Sequence, residues 1–160
     1  LAGASDPINL AGSSFEQVTF GHVGGRPTAP DGTTARAVIG FAQRLVAEGL
    51  SPVLHDISDG GLAVAVAEIC IASGVGASVD YTDWRHLFSE DPHRFVFAAS
   101  PDQRERIELA AVEGGVPLTR LGSIGGDQIA FRRGGASAVV DLAVATETYR
   151  TAIPRRLPRT

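Results

Sequence analysis

The sequence predicts an α+β fold, a split βαβ-type mixed sheet with helices packed on one face. Three observations predict it. Between positions 52 and 124 the hydrophobic pattern reads strand, helix, strand, and then strand, helix, strand again. The breaks carry turn and cap residues: Gly49, Ser58-Asp59-Gly60-Gly61, Pro101-Asp102 and Gly114-Gly115. With 44% hydrophobic and 20% charged residues in 160, the chain can bury one ordinary core, so residues 1–160 are expected to form a single domain.

Taken in order, positions 1–30 are rich in Gly, Pro, Ser, Asn and Asp and form a loop-rich entry around a short segment at 15–20. Asp31 or Thr33 can cap a helix running to about 48, with Ala35, Val38, Ile39, Ala42, Leu45 and Val46 at helical spacing and Gly49 as its stop. Positions 52–57 read as a strand. The helix at 62–73 is apolar nearly all round (Leu62, Val64, Val66, Ile69, Ile71), interrupted by Glu68, and needs cover on several sides. Cys70, inside it, reads as a small buried residue. A strand follows at 75–80, then a loop or short helix at 83–92 with Trp84. Phe95, Val96 and Phe97 favour a strand at 94–99. Pro101 and Asp102 open an amphipathic helix that ends at Gly114-Gly115. Strands are expected near 116–124, 128–132 and 136–140, then a short helix at 142–149 and a solvated tail with Arg155, Arg156 and Arg159.

The net charge of -4, with no basic tract away from the C-terminus, gives nucleic-acid binding little electrostatic support. No apolar run is long enough to cross a bilayer, and positions 1–10 lack a signal-peptide pattern. A single cysteine precludes an internal disulfide and leans towards a reducing, cytoplasmic setting. The chain contains no methionine, so it is expected to be processed or excised from a larger protein.

The most informative stretch runs from His55 through Asp56, Ile57, Ser58, Asp59, Gly60 and Gly61 to Leu62. It puts two carboxylates, a hydroxyl and two glycines where a strand hands over to a buried helix. Helix-start N–H groups attract anions, and glycines let a phosphate approach closely, so the turn can lie beside a nucleotide. Asp56 or Asp59 would then hold Mg²⁺ or orient ligand hydroxyls. The alternative is that Ser58 or Asp59 only caps the helix and the glycines make a tight turn. Asp59 itself opposes bare anion binding there. His55 is more often a structural hydrogen-bonder than a base. A second Gly-rich region spans Gly12-Ser13-Ser14-Phe15 and His22 to Pro27; Ser13, Ser14 and Arg26 there can reach a phosphate, or simply decorate a surface loop. In the third segment, Phe88 to Arg94, Glu90 and Arg94 can pair with each other or with a ligand, and a structural ion pair is the expected role. His22, His86 and His93 are scattered, which argues against zinc. Walker, Rossmann and G-x-S-x-G spacings are missing.

At these residues the chain resembles a family. Asp56-Ile57-Ser58-Asp59-Gly60-Gly61-Leu62-Ala63, with Glu68 behind, is similar to the D-x-S-D-G-G-L-x-x-x-x-x-E signature of the aminoimidazole ribonucleotide synthetase-related C-terminal domain. Phe88-Ser89-Glu90, with Arg94 four residues on, resembles its F-S-E-x-x-x-R segment, and Gly12-Ser13-Ser14-Phe15 its G-S-E-Y loop, with Ser14 in place of Glu and Phe15 in place of Tyr. The wording is closest to the last such domain of the phosphoribosylformylglycinamidine synthases. The resemblance implies ATP-dependent amidation of formylglycinamide ribonucleotide with glutamine-derived ammonia. It implies ATP and Mg²⁺ bound mainly by domains absent from this chain, and as partners those remaining domains and a glutaminase domain or subunit. The fragment alone is expected to be inactive, with a homodimer as one way to cover its exposed faces. Asp56, Ser58, Asp59, Gly60, Gly61, Ser13 and Ser14 are the substrate- or nucleotide-proximal candidates; no residue is assigned a catalytic role.

Overall fold

Two side-chain caps set the first two helices. The Ser13 hydroxyl accepts from the Glu16 N–H and starts α1 (Ser14–Phe20), which Gly21 closes in a left-handed conformation. The Asp31 carboxylate accepts from the Thr34 N–H at 2.6 Å and starts α2 (Gly32–Ala47). The computed structural model describes residues 1–4 and 8–157. Positions 5–7 of the expected entry segment and Arg159 of the expected tail lie outside the described residues.

The elements then run β1 (Val53–Asp56), α3 (Gly61–Ser73), β2 (Ala77–Asp80), α4 (Arg85–Phe88), β3 (Phe95–Ala98), a 3₁₀ turn at Pro101–Gln103, α5 (Arg104–Gly114), β4 (Gly122–Ile124), β5 (Gln128–Arg133), β6 (Ala136–Asp141) and α6 (Leu142–Thr151). The α+β class holds, with a mixed sheet and helices. The expected single sheet resolves into two. β1 pairs antiparallel with β3, Val53 opposite Ala98 and Asp56 opposite Phe95. The other four strands lie in the order β4-β2-β5-β6, with β2 and β5 parallel and the remaining pairs antiparallel. The expected strand at 116–124 shrinks to its last three residues. Pro117 has no N–H to give a ladder, and only Leu118 makes an isolated bridge, to Ala2.

The chain groups into two compact units. The first comprises residues 1–65 and 83–120. Its core joins Val38, Phe41 and Leu45 of α2 to Ile107, Ala110 and Ala111 of α5, with Ala2, Leu50 and Val116, while Phe95 and Phe97 of β3 pack against it. Phe41 and Phe97 meet edge to face at 6.0 Å between ring centroids. A two-stranded sheet is marginal by itself; here α2 and α5 give β1 and β3 their apolar backing. The second unit comprises residues 66–82 and 121–160, with Ile129 and Ala130 of β5, Ala77 and Val79 of β2 and Leu142 among its buried residues. α3 starts in the first unit, and the rest of it belongs to the second. Leu62, Ala65, Val66 and Cys70 of α3 are buried and most of the residues between them half-buried, which gives the cover expected on several sides; Val64 is exposed. Burial pushes the Cys70 thiol pKa up, which suits a packing residue rather than a nucleophile.

Leu45 is fully buried at the centre of the first core. Leu45→Ala should cost about 2–5 kcal/mol of unfolding free energy in chemical denaturation, whereas the exposed Val46→Ala should move it by under about 0.5 kcal/mol.

Candidate functional site

The first unit brings the three singled-out segments together, and a carboxylate joins them. Glu90 Oε1 accepts the Ser14 N–H at 2.8 Å and the Gly60 N–H at 2.7 Å. One side chain thus ties the Gly12–Phe15 loop and the Ser58–Gly61 turn to the segment after α4. Glu16 does the same within the entry region: its Oε2 accepts the N–H groups of Gly12 and Gly24, each at 3.2 Å.

The turn needs its glycines. Gly60 and Gly61 have φ of 83° and 71°, the left-handed region. A Cβ on Gly60 would stand 2.3 Å from Val64 Cγ2, and one on Gly61 2.7 Å from the Leu87 carbonyl oxygen. The Gly61 N–H donates to the Ser58 carbonyl at 2.9 Å, closing a tight turn. Neither the Ser58 hydroxyl nor the Asp59 carboxylate caps α3 among the described residues. Both side chains are exposed, as is Asp56. Ser13 is buried and spent on the α1 cap, and Ser14 is half-buried. The His55 ring meets the Asp56 carbonyl at 2.6 Å, a structural contact.

Below the junction lies a buried polar cluster. Ser89, Asp91 and Arg94 are almost fully buried. Arg94 donates to the Ser89 carbonyl at 2.5 Å and to the Asp91 carbonyl at 3.1 Å. The expected Glu90–Arg94 ion pair is therefore replaced: Glu90 takes backbone amides and Arg94 gives to backbone carbonyls. Desolvation pulls the Arg94 pKa down, and the nearby Asp91 carboxylate opposes that. Asp91 also accepts from the Ser89 hydroxyl, the Thr28 hydroxyl and the Asn9 N–H, so it anchors the entry segment. Outside the polar cluster Phe15 stacks on Phe88 (4.9 Å, 29°) and leans on Trp84 (5.2 Å). α1 has only seven residues and buries none of them, so this stack and the Glu90 bond hold it in place. Arg85 forks onto the Asp83 carboxylate and, with its own amide, holds that carboxyl down at about 2.

The arrangement bears on ligand chemistry. Three amides of the junction are occupied: Ser14 and Gly60 by Glu90, Gly61 by Ser58. What the turn presents is a rigid, exposed edge of Asp56, Ser58 and Asp59. No group of three His, Cys, Asp or Glu among the described residues can hold a metal by itself; Mg²⁺ shared with a phosphate needs only one or two carboxylates, which Asp56 and Asp59 can offer. A neighbouring open groove of about 560 Å³ is lined by Asn9, Thr28, Asp31, Asp91 and His93 among others, and by none of the seven candidates. Sequence reasoning missed Asn9, Glu16 and Thr28, and it gave Glu90 the wrong partner. The only hint was Glu90 itself, a carboxylate in a chain with two glycine-rich loops whose amides need acceptors.

Glu90→Ala should cost about 1–3 kcal/mol and raise hydrogen exchange at the Ser14 and Gly60 amides together, since both lose their acceptor. Gly60→Ala should lower stability as well, through positive φ and the Val64 contact.

The family model described as AIR synthase related protein, C-terminal domain, matches residues 1–134. Phosphoribosylformylglycinamidine synthase subunit PurL of Thermobifida fusca (strain YX) is 35% identical over 153 residues, 92% of this chain and 20% of that protein. The subunit of the same name from Synechococcus sp. (strain CC9902) is 37% identical over 167 residues, 98% of this chain and 21% of that one. The chain thus spans about a fifth of the length of these relatives. Among solved structures, PurLQS from Thermotoga maritima superposes with a TM-score of 0.69 at 17% identity, over 91% of this chain and 25% of that one. T. maritima PurL complexed with ATP gives 0.67 at 19% identity, over 74% and 23%. The structural likenesses establish a shared fold. The family match runs unbroken through the Gly12 loop, the Gly60 turn and the Glu90 segment, and the chain belongs to the AIR synthase-related C-terminal domain family.

Proposed function

We propose that residues 1–160 work as one C-terminal-type domain of a phosphoribosylformylglycinamidine synthase, an ATP-dependent carbon–nitrogen ligase of purine biosynthesis. The observation that carries this is the 35% identity to the T. fusca subunit across 92% of the chain. In that reaction ATP phosphorylates the formyl-amide oxygen of formylglycinamide ribonucleotide. Ammonia, released from glutamine by a glutaminase domain or subunit, adds to the activated carbon and expels phosphate, leaving the amidine, ADP and phosphate. The setting is cytoplasmic.

The chain's own share is positional. Glu90 and the glycines hold the Asp56–Gly61 turn, so that Asp56, Ser58 and Asp59 meet the ligand or a neighbouring domain at a fixed edge. Ser14, beside the same junction, belongs to that edge, and Ser13 supports it through the α1 cap. ATP and Mg²⁺ sit mainly on other domains; the occupied amides of Ser14, Gly60 and Gly61 support that division. The chain alone is inactive and self-associates through faces that other domains would cover. The same occupied amides favour a second reading, in which the edge only packs against a neighbour and no atom of this chain touches ligand.

The test is kinetic, in the enzyme assembled by co-expression with the remaining domains. Asp59→Asn should lower kcat/KM by about tenfold to a hundredfold with unchanged assembly. Unchanged kinetics with Asp59→Asn and Gly60→Val, at unchanged stability, would remove this edge from the site. Weakened assembly with normal turnover per complex would support the packing reading instead.

A further inference from the structure

β6 is an edge of the four-stranded sheet, and all six of its residues are exposed. Natural edge strands are blunted by shortness, proline, lysine or bulges. The opposite edge, β4, is blunted by length, with three residues and a glycine. β6 is not: Ala136–Asp141 reads ASAVVD, without proline or lysine and with one charge at its end. Val139 and Val140 are 49% and 43% exposed. Such an edge needs a strand beside it, and its symmetry and charge say which.

Successive residues of a strand point their N–H and C=O groups alternately to the two sides. Facing residues in an antiparallel pair share the same sense. A strand pairing with its own copy must therefore oppose residues of like parity, and the two-fold axis must fall on a residue. With the axis on Val139, Val139 faces Val139 of the second copy, Ala138 faces Val140, and Ser137 faces Asp141. In the sheet Arg132 stands beside Ser137, and Gln128 beside Asp141. The seam then carries a row of Arg132, Ser137, Asp141 and Gln128, the last two from the second copy, and symmetry repeats it. Gln128 already donates to Asp141 at 3.1 Å. The Arg132 guanidinium makes no hydrogen bond among the described residues, and the small Ser137 leaves it room to reach across. Its neighbour on the other side, Asp80, does not bond it either. Each Asp141 carboxylate thus meets a cation and a hydroxyl at the seam. An axis on Ala138 would set Asp141 against Gly135, within the β5–β6 turn, and lose that pairing.

We propose that β6 pairs antiparallel with β6 of a second copy of this chain, across a two-fold axis at Val139. The join makes one eight-stranded sheet, closes the β6 edge of each copy and leaves the short β4 at either end. It names the surface for the self-association proposed above, and it rests on the β6 edge alone, so it stands or fails apart from the enzyme reading.

The test uses the 160-residue chain. Sedimentation velocity should show a concentration-dependent dimer. Val139→Lys, at an exposed site, should keep the wild-type circular dichroism and weaken the dimer by about tenfold or more, because two ammonium groups would face each other. Asp141→Arg should weaken it too, and Arg132→Asp combined with Asp141→Arg should restore it. In a Cys70→Ser background, Val139→Cys should form an interchain disulfide on mild oxidation, and Ala138→Cys should form far less. A monomer at every concentration would overturn the proposal. So would a dimer indifferent to Val139→Lys, higher polymers in place of a dimer, or preferential cross-linking through position 138.

Discussion

The carboxylate of Glu90 gathers two loops that are far apart in sequence, and the geometry of the candidate edge depends on it. Backbone amides in glycine-rich turns have no regular ladder to satisfy them, and an orphaned amide near the interior is costly. A single oxygen that accepts from both Ser14 and Gly60 meets that demand and fixes the two loops against each other. The aromatic stack of Phe15, Phe88 and Trp84 reinforces the same junction from its apolar side. Ser89, Asp91 and Arg94 support it from below with buried hydrogen bonds. Rigidity at the turn is thus built from protein groups.

That has a functional consequence. A loop shaped by its own carboxylate presents side chains at fixed positions. Asp56, Ser58 and Asp59 gain their value from being exposed on such a support. On the proposed reading such a domain contributes an edge to a larger assembly; the chain spans about a fifth of the length of its relatives. The proposed self-pairing of β6 follows the same logic in the second unit: a sheet edge left without a blunting residue invites another strand.

Much of this was legible in the sequence. The periodicity of Val38, Ala42 and Leu45, with Asp31 before and Gly49 after, located α2 to within a residue or two, because capping and packing there are local matters. The Asp59-Gly60-Gly61 turn was equally plain, since two adjacent glycines before an apolar run leave few conformations. The distribution of strands over two sheets was not legible: alternation shows which residues form strands, not which strands pair. The long strand expected near 116–124 fails at Pro117, which has no N–H for a ladder. The Glu90 junction was hidden for a deeper reason. Its partners are backbone amides 76 and 30 residues away, and a backbone amide leaves no mark on residue identity. Charge pairing with Arg94, the visible choice, lost to amides that had nothing else to bond.

The most direct measurement is a comparison of the backbone amide proton resonances of the chain and of Glu90→Ala by NMR. An amide proton bonded to a carboxylate resonates downfield of a free one. The account predicts that the Ser14 and Gly60 signals both move upfield in the variant, because one oxygen accepts from both. A shift of one signal without the other, or of neither, would contradict it.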